Sequence, residues 1–199
     1  MPFASRSRRH FVTVLALALL GASVAPGMLR AQRAEQGPTK VILVRHAEKA
    51  AVAGDDPPLS EIGMARARDL AAELQSTPPS AIIVTSLQRT ALTAAEVAKA
   101  SGVVPEVIPV AGGAAHIAAV VAAVRKQHGV VLVVGHSNTV TKLVTELGGP
   151  PLPDICDATY SLMFTLTPMR NGASPTLVVS NFGAKEPPPP ATCAPMIQK

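Results

Sequence analysis

Histidine and arginine side chains follow apolar runs at two distant places in this chain. Arg45 and His46 come directly after Val41–Val44, and His136 follows Val130–Val134 after one glycine. Short, uninterrupted runs of β-branched and aliphatic residues are typical of buried strands in a parallel sheet. A cation or an imidazole at the end of such a strand needs polar partners. We therefore expect these side chains at the mouth of the sheet, where α/β proteins bind ligands.

A second arginine has a similar position. Arg89 follows the apolar run Ala81–Val84 closely and lies at the start of a predicted helix. Adjacent strands of a sheet are only ~5 Å apart, and the N-termini of the following helices direct backbone N–H groups into the same space. Arginines together with oriented amides bind a tetrahedral oxyanion such as phosphate. The spacing therefore predicts one anion site at this edge.

An imidazole inside such a site can do more than bind an anion. Neutral imidazole is a competent nucleophile towards phosphorus, and an unperturbed histidine is largely neutral above about pH 6.5. The arginines would neutralise the equatorial oxygens during in-line transfer, and a second histidine would donate a hydrogen bond to them. The other ring nitrogen of the nucleophile is expected to donate to a backbone carbonyl, which fixes the tautomer.

Strands and helices alternate along the chain and would bring these side chains together. The apolar patterns predict strands over 41–44, 81–84, 103–110, 130–134, 160–166 and 176–179. Helices are predicted over 61–75, 87–100, 117–127 and 139–147, the first of them capped by Ser60. The alternation predicts an α/β fold with a mostly parallel central sheet flanked by helices in three layers. The last two strands are candidates for an antiparallel edge hairpin.

The two ends of the chain differ in composition from residues 40–182, which are predicted to form one domain. Residues 1–31 have the arginines, the short apolar run and the small-residue exit of a signal peptide, and Ser7–Phe11 resembles either a twin-arginine signal or an ordinary secretory one. Residues 32–39 are predicted to be a linker, and residues 183–199 a Pro-rich tail without packing. A periplasmic or extracellular protein is therefore expected, with no stable membrane span after cleavage.

The chain has two cysteines, Cys156 and Cys193, and both follow the predicted signal peptide. In an oxidising compartment they could form a disulfide that holds the tail. Two free thiols are the alternative, because the sequence alone does not fix the connectivity.

The charge of the chain does not indicate a nucleic-acid partner. There are 18 Lys and Arg against 13 Asp and Glu, but four arginines and no acidic residue lie before residue 32, which leaves 14 against 13. Aromatic residues make up 3% of the chain and Trp is absent, so stacking platforms for bases are not expected either. The sequence makes no prediction about the oligomeric state.

At four ordered places the chain resembles the histidine phosphatase superfamily, also called phosphoglycerate-mutase-like, in a small exported bacterial form. The family's R-H-G motif corresponds to Arg45-His46-Ala47, and three further blocks correspond to residues 59–67, 85–94 and 135–137. The resemblance covers residues 40–182 and implies the phosphoglycerate-mutase-like fold.

The resemblance also implies roles for single residues. His46 would be the nucleophile that becomes phosphohistidine, and the phosphoryl group would be bound by Arg45, Arg89 and His136. Ser137 is expected to bind substrate, and Glu48 is expected to do so at the rim of the pocket, with an ion pair in solvent as the alternative for Glu48. The implied activity is metal-independent hydrolysis of a phosphoric monoester, as in histidine acid phosphatases, with a small phosphorylated molecule as substrate and no cofactor.

The chain departs from the family pattern most clearly at the proton donor. Ala47 stands where glycine is usual, which is a small change. Many members carry an acid between the second arginine and the second histidine, where this chain has only Glu96 and Glu106, inside a predicted helix and strand. The remaining candidates for the donor are Asp55, Asp56, Glu48 and His116. Without a donor, good leaving groups would be favoured, because general acid catalysis contributes roughly 10²–10⁴-fold.

These residues also admit three different interpretations. Gly135–Thr139 resembles the elbow of serine hydrolases, but its fifth position is Thr and no histidine follows Ser137. The histidines could bind zinc, but they lack the close pairwise spacing of a zinc site. A module that binds phosphate or a phosphoryl ligand without turnover is the main rival to the enzyme, and the missing acid supports it.

Overall fold

The computed structural model describes residues 37–168, 173–188, 190, 191 and 193, so the predicted signal peptide and the linker residues before Gly37 lie outside the described residues. The described strands are Pro38–Arg45 (β1), Ala81–Thr85 (β2), Glu106–Ile108 (β3), Gly129–Gly135 (β4), Leu162–Thr167 (β5) and Thr176–Asn181 (β6). The described helices are Glu61–Glu73 (α1), Gln88–Ser101 (α2), Gly113–Lys126 (α3) and Val140–Glu146 (α4). None of the helices in this part of the chain has the length and apolar character needed to cross a bilayer.

The strands form one mixed sheet in the order β3-β2-β4-β1-β5-β6. The first four of these strands are parallel to their neighbours, β5 is antiparallel to β1, and β6 is antiparallel to β5. The predicted mostly parallel sheet and its antiparallel edge hairpin are therefore confirmed. Because β1 and β4 are neighbours in the centre, the residues that follow them lie side by side.

Strand β1 is buried on both faces, which explains its continuous apolar sequence. Val41 and Leu43 pack with buried residues of α3 and α4 in one cluster. Ile42 and Val44 pack with buried residues of α1 and α2 in the other. Helices on both faces of a central sheet give the predicted three-layer arrangement and hold the end of β1 in place.

The ends of several elements differ from the predictions. Strand β1 begins at Pro38, inside the predicted linker, and its register shifts between Pro38 and Lys40. Proline lacks a backbone N–H and is tolerated at the first position of a strand, so it does not prevent the extension. Strand β3 is restricted to Glu106–Ile108, within the predicted 103–110. The cap at Ser60 is confirmed, because its side chain accepts a hydrogen bond from the N–H of Gly63 at 3.1 Å.

The segment after β6 packs against the domain, so the prediction of a tail without packing is wrong. The Glu186 carboxylate lies 3.3 Å from Nη2 of buried Arg66 and accepts a hydrogen bond from the Ser161 hydroxyl at 2.8 Å. Cys193 forms a disulfide with Cys156, which decides between a bridge and free thiols. Glu186 and Cys193 thus fix the described part of this segment near β5 and near the loop that precedes it.

Candidate active site

The two strand-end histidines lie side by side at the carboxyl edge of the sheet. Arg45 is paired with Gly135 in the parallel register of β1 and β4, so His46 and His136 are the next residues after this pair. Their ring centroids are 5.4 Å apart with an interplanar angle of 63°. Arg89, the second residue of α2, lines the same cleft. The structure therefore brings together the four basic side chains that the sequence placed at this edge.

The imidazole of His46 is buried and held in one orientation. Its Nδ1 lies 2.8 Å from the carbonyl oxygen of Ala47, and the residue is 4% exposed. The N–H of Ala47 in turn donates to Oγ1 of Thr93 at 2.9 Å. The expected bond from the ring to a backbone carbonyl is thus confirmed, and it places the proton on Nδ1 because a carbonyl only accepts. The lone pair is then on Nε2.

His46 is a neutral base over a wide pH range. Burial lowers its pKa to about 3, and the positive charge of Arg45 and the nearby His136 act in the same direction. The bond to the carbonyl of Ala47 opposes this shift and does not cancel it. The ring is therefore uncharged at neutral and at mildly acidic pH, with a proton on Nδ1 and none on Nε2, which is the state in which an imidazole can attack phosphorus.

The guanidinium of Arg45 is fixed by a loop that follows α4. Its Nη1 donates to the carbonyl oxygens of Cys156, Asp157 and Thr159, each at 3.0 Å. The ring of Tyr160 stacks on it, with 4.1 Å between the guanidinium carbon and the ring centroid. Burial lowers the pKa of Arg45, but an arginine stays charged in proteins. Its buried Nε has no hydrogen-bond partner among the described residues.

Arg89 is oriented by a carboxylate outside the cleft. Its Nη1 lies 3.5 Å from Asp56, and the same carboxylate accepts from the N–H of Gln88 at 3.1 Å at the start of α2. The buried Nε of Arg89, like that of Arg45, lacks a partner among the described residues. Buried donors without partners are costly in a folded protein unless a ligand satisfies them. Asp56 therefore orients Arg89 and does not itself line the cleft.

His136 is held by a threonine at the end of β2. Its Nε2 is 3.2 Å from Oγ1 of Thr85, and that oxygen also lies 3.1 Å from Oγ1 of Thr90. Burial lowers the pKa of His136 to about 4, with the charge of Arg89 as the next contribution. Ser137 follows and lines the cleft, as expected from its block. His136 is thus a neutral hydrogen-bonding group beside His46.

Glu48 does not line the cleft, and its predicted role in substrate binding is not supported by the geometry. Both of its carboxylate oxygens accept from Nε of Arg66, at 2.9 and 3.0 Å, and Oε1 also accepts from Nη2 at 2.7 Å. Arg66 is 3% exposed and donates further to the carbonyl of Phe182 at 3.1 Å. A charge buried in this way needs a counter-charge, and Glu48 together with Glu186 supplies it.

The cleft has a volume of about 1140 Å³ and extends from the histidines along α3 and α4. Its other polar lining residues are Lys49, His116, Arg125, Asn138, Thr139, Lys142, Glu146 and Asp157. Sequence reasoning missed Thr85 and Tyr160. Tyr160 is the one tyrosine in the chain, and its position just before β5 was the signal available. Among the described residues, no group of three or more His, Cys, Asp or Glu is placed to hold a metal ion.

A family model described as the histidine phosphatase superfamily, branch 1, matches residues 41–111. This range begins within β1 and extends through α1, β2, α2 and β3 to the loop that leads to α3, and it therefore includes Arg45, His46 and Arg89. A search of curated proteins gives no significant match.

Solved structures share the fold over most of the chain. The protein histidine phosphatase SixA, solved with tungstate, has a TM-score of 0.56 and 24% identity and covers 71% of this chain and 96% of its own. A mycobacterial glucosyl-3-phosphoglycerate phosphatase has a TM-score of 0.56 and 17% identity and covers 73% of this chain and 100% of its own. At these identities the likeness establishes the fold, which is phosphoglycerate-mutase-like.

Proposed function

We infer that this chain, which belongs to the histidine phosphatase superfamily, hydrolyses a phosphomonoester or a related phosphoryl compound through a phosphohistidine on His46. The state of His46 carries this proposal. The bond from Nδ1 to the carbonyl of Ala47 leaves the lone pair on Nε2, and the pKa of about 3 keeps the ring neutral. A neutral imidazole beside the buried Arg45 and the partly buried Arg89 is the arrangement that attack on a phosphoryl group requires.

The reaction proceeds in two displacements. In the first, the Nε2 lone pair of His46 forms the N–P bond while the P–O bond to the leaving group breaks, and the leaving oxygen takes a proton. In the second, water loses a proton and forms a P–O bond, the N–P bond breaks, and the lone pair returns to Nε2, so the proton taken up in the first step is replaced by the one from water. Arg45 and Arg89 stabilise the equatorial oxygens in both steps, so the charge that phosphoryl transfer requires comes from the protein itself.

The unpartnered Nε atoms of Arg45 and Arg89, seen among the described residues, support phosphate binding independently of the nucleophile. Each guanidinium is held through Nη1, by carbonyls in one case and by Asp56 in the other. A preorganised arginine loses little conformational entropy when an oxyanion binds. A phosphate held between them would lie next to both histidines.

Binding without turnover is the second candidate function, and the positions of the carboxylates favour it. Of the predicted donors, Glu48 is bound to Arg66, and Asp56 to Arg89 and the start of α2. Neither carboxylate lines the cleft. A chain without any donor would bind phosphate and release it unchanged, or hydrolyse only esters with good leaving groups.

Hydrolysis of nitrophenyl phosphate separates these two functions. We expect wild type and His128→Asn, a change of a histidine outside the cleft, to be equally active. His46→Asn should lose at least about 1000-fold in kcat, because the covalent route is removed, while phosphate still protects it against thermal unfolding. Equal and negligible activity of all three proteins, with protection by phosphate retained, would establish the binding module instead.

Neither the substrate nor the location follows from the neighbours. The two solved relatives are, by their names, a protein histidine phosphatase and a glucosyl-3-phosphoglycerate phosphatase, so their substrates differ widely. We propose a small phosphorylated molecule as substrate and export from the cytoplasm. The disulfide between Cys156 and Cys193 supports export, because such bridges persist in oxidising compartments.

A further inference from the structure

We propose that His116 donates the proton to the leaving group, an assignment that rests on the proposed phosphatase function. The first displacement leaves an electron pair on the ester oxygen. For an alkyl ester this oxygen is strongly basic, so a positioned acid accelerates its departure by roughly 10²–10⁴-fold. The donor must be in the cleft, and it must carry a proton on an atom that makes no hydrogen bond within the protein.

His116 is in the right part of the fold. It is in the first turn of α3, which begins after the short loop that follows β3. Strand β3 is parallel to β2 and runs in the same direction as β1 and β4, so α3 begins at the carboxyl edge where His46 and His136 lie. The side chain of His116 lines the same cleft as both histidines, and the residue is 3% exposed.

The contacts of His116 leave one ring nitrogen for the substrate. Nδ1 lies 3.0 Å from the carbonyl oxygen of Pro109, so Nδ1 carries a proton and donates it. Nε2 has no hydrogen-bond partner within the described part of the chain. In the imidazolium form Nε2–H can therefore donate to the leaving oxygen, while the bond to Pro109 holds the ring in place.

The proton balance closes over the two displacements. In the first, the P–O bond breaks, its electron pair goes to the leaving oxygen, and the proton of Nε2 follows, which leaves His116 neutral with Nδ1–H still bonded to Pro109. In the second, Nε2 accepts a proton from the attacking water as the N–P bond of phosphohistidine breaks. The imidazolium is restored without any other reactant.

The other groups of the cleft are less suitable. The Asp157 side chain is 95% exposed and lies 3.6 Å from Arg45. Glu146 is the last residue of α4, which is seven residues long, so it lies about 10 Å along the helix from its start. Lys49 and Lys142 are both exposed, and an ammonium group on a flexible stem is less well positioned than a buried ring. Nε2 of His136 is already within 3.2 Å of Thr85.

The dependence of the rate on the leaving group tests the assignment. In His116→Asn the amide can keep a donor to Pro109, but the acid is lost. We expect kcat/KM for an alkyl phosphate to fall about 100-fold or more, whereas kcat/KM for nitrophenyl phosphate changes less than about 3-fold, because its leaving group needs little protonation. A series of aryl phosphates should show a steeper dependence on the leaving-group pKa. His128→Asn should match wild type with every substrate.

Each outcome either supports or overturns the assignment of His116 as the proton donor. Activity of His116→Asn on nitrophenyl phosphate shows that the variant is folded, and a selective loss on the alkyl ester supports the donor. Equal losses on both substrates, or no loss on either, would overturn it. If His116→Asn does not fold, His116→Gln is subjected to the same comparison. Failure of the proposed function itself is recognised separately, as wild-type activity that does not depend on His46.

Discussion

Replacing Glu48 by glutamine should reduce the stability of the protein and leave phosphate recognition unchanged. Glu48 follows the proposed nucleophile His46 by two positions, so its sequence position suggests a role in the pocket. In the structure its carboxylate is bound to Arg66, whose side chain is 3% exposed, and does not line the cleft. Stability and substrate binding therefore respond differently to this substitution, and measuring both distinguishes the two roles.

The size of the effect follows from the contacts that are lost. The Glu48 carboxylate accepts from Nε and Nη2 of Arg66 in three contacts between 2.7 and 3.0 Å. Glutamine keeps one acceptor and removes the counter-charge, while Glu186 still lies 3.3 Å from Arg66. Removing one partner of a buried pair costs about 3–5 kcal/mol when no other compensates. With one acceptor and Glu186 retained, we expect a loss of about 2–3 kcal/mol in the free energy of unfolding.

Urea unfolding and steady-state kinetics on the same preparations provide the assay. Glu61→Gln, in the exposed first turn of α1, is the matched control and should change the free energy of unfolding by less than about 0.5 kcal/mol. KM for nitrophenyl phosphate should stay within about 2-fold of wild type in both variants. A 2-fold change in affinity corresponds to a change of about RT ln 2 in binding free energy. A Glu48→Gln protein of normal stability with a raised KM would refute the structural role of Glu48 and return it to the substrate site.

Three further effects follow from local geometry. Gly63→Ala should cost about 3 kcal/mol in urea unfolding, because the new Cβ would clash with the carbonyl oxygen of Glu48. Cys193→Ser opens a bridge between residues 37 apart and should lower the free energy of unfolding by about 4 kcal/mol, and KM should rise because Cys156 also supplies a carbonyl to Arg45. Stability should fall by about 4 kcal/mol from about pH 7 to about pH 5, about 2 kcal/mol from each histidine of the site, since the unfolded chain protonates His46 and His136 near their usual pKa and the folded chain only near about 3 and about 4.

Each of these three effects has its own control or its own contradicting result. An alanine Cβ at Gly112 meets no atom within 4 Å, so a loss in Gly112→Ala equal to that of Gly63→Ala would point to a general effect of alanine. An unchanged KM in Cys193→Ser would separate the bridge from the position of Arg45. A stability that rises as the pH falls would contradict the neutral, buried state of His46. When the unfolded chain binds more protons than the folded protein, the free energy of unfolding falls on acidification.

The residues of the site that can be predicted from sequence are those that follow the ends of strands. The carboxyl ends of parallel strands meet at one edge, so apolar runs that end near His46 and His136 were sufficient to place the two rings together. The tautomer of His46 can also be predicted, because a buried ring needs a partner for its second nitrogen. These inferences use local pattern and sheet geometry alone.

The rest depends on contacts between distant parts of the chain. The sequence admits a place for Glu48 at the rim of the pocket, but its counter-charge Arg66 lies 18 residues away in α1. Glu186 reaches the same arginine from the tail, 120 residues further along the chain than Arg66. No periodic pattern marks such pairs, and a Pro-rich segment gives no signal of packing. Tyr160 was missed for the same reason, because its partner Arg45 lies at the end of a strand far away in the sequence.

Trapping of a phosphoenzyme tests the central claim most directly. Wild-type protein is mixed with a phosphorylated substrate, quenched in alkali within a turnover and digested, and the peptides are analysed for phosphate. We expect one phosphorylated residue, His46, with a bond that is stable in alkali and labile in acid, and no such peptide from His46→Asn. Turnover without any phosphorylated His46, or a phosphate on His136 or His116 instead, would contradict it.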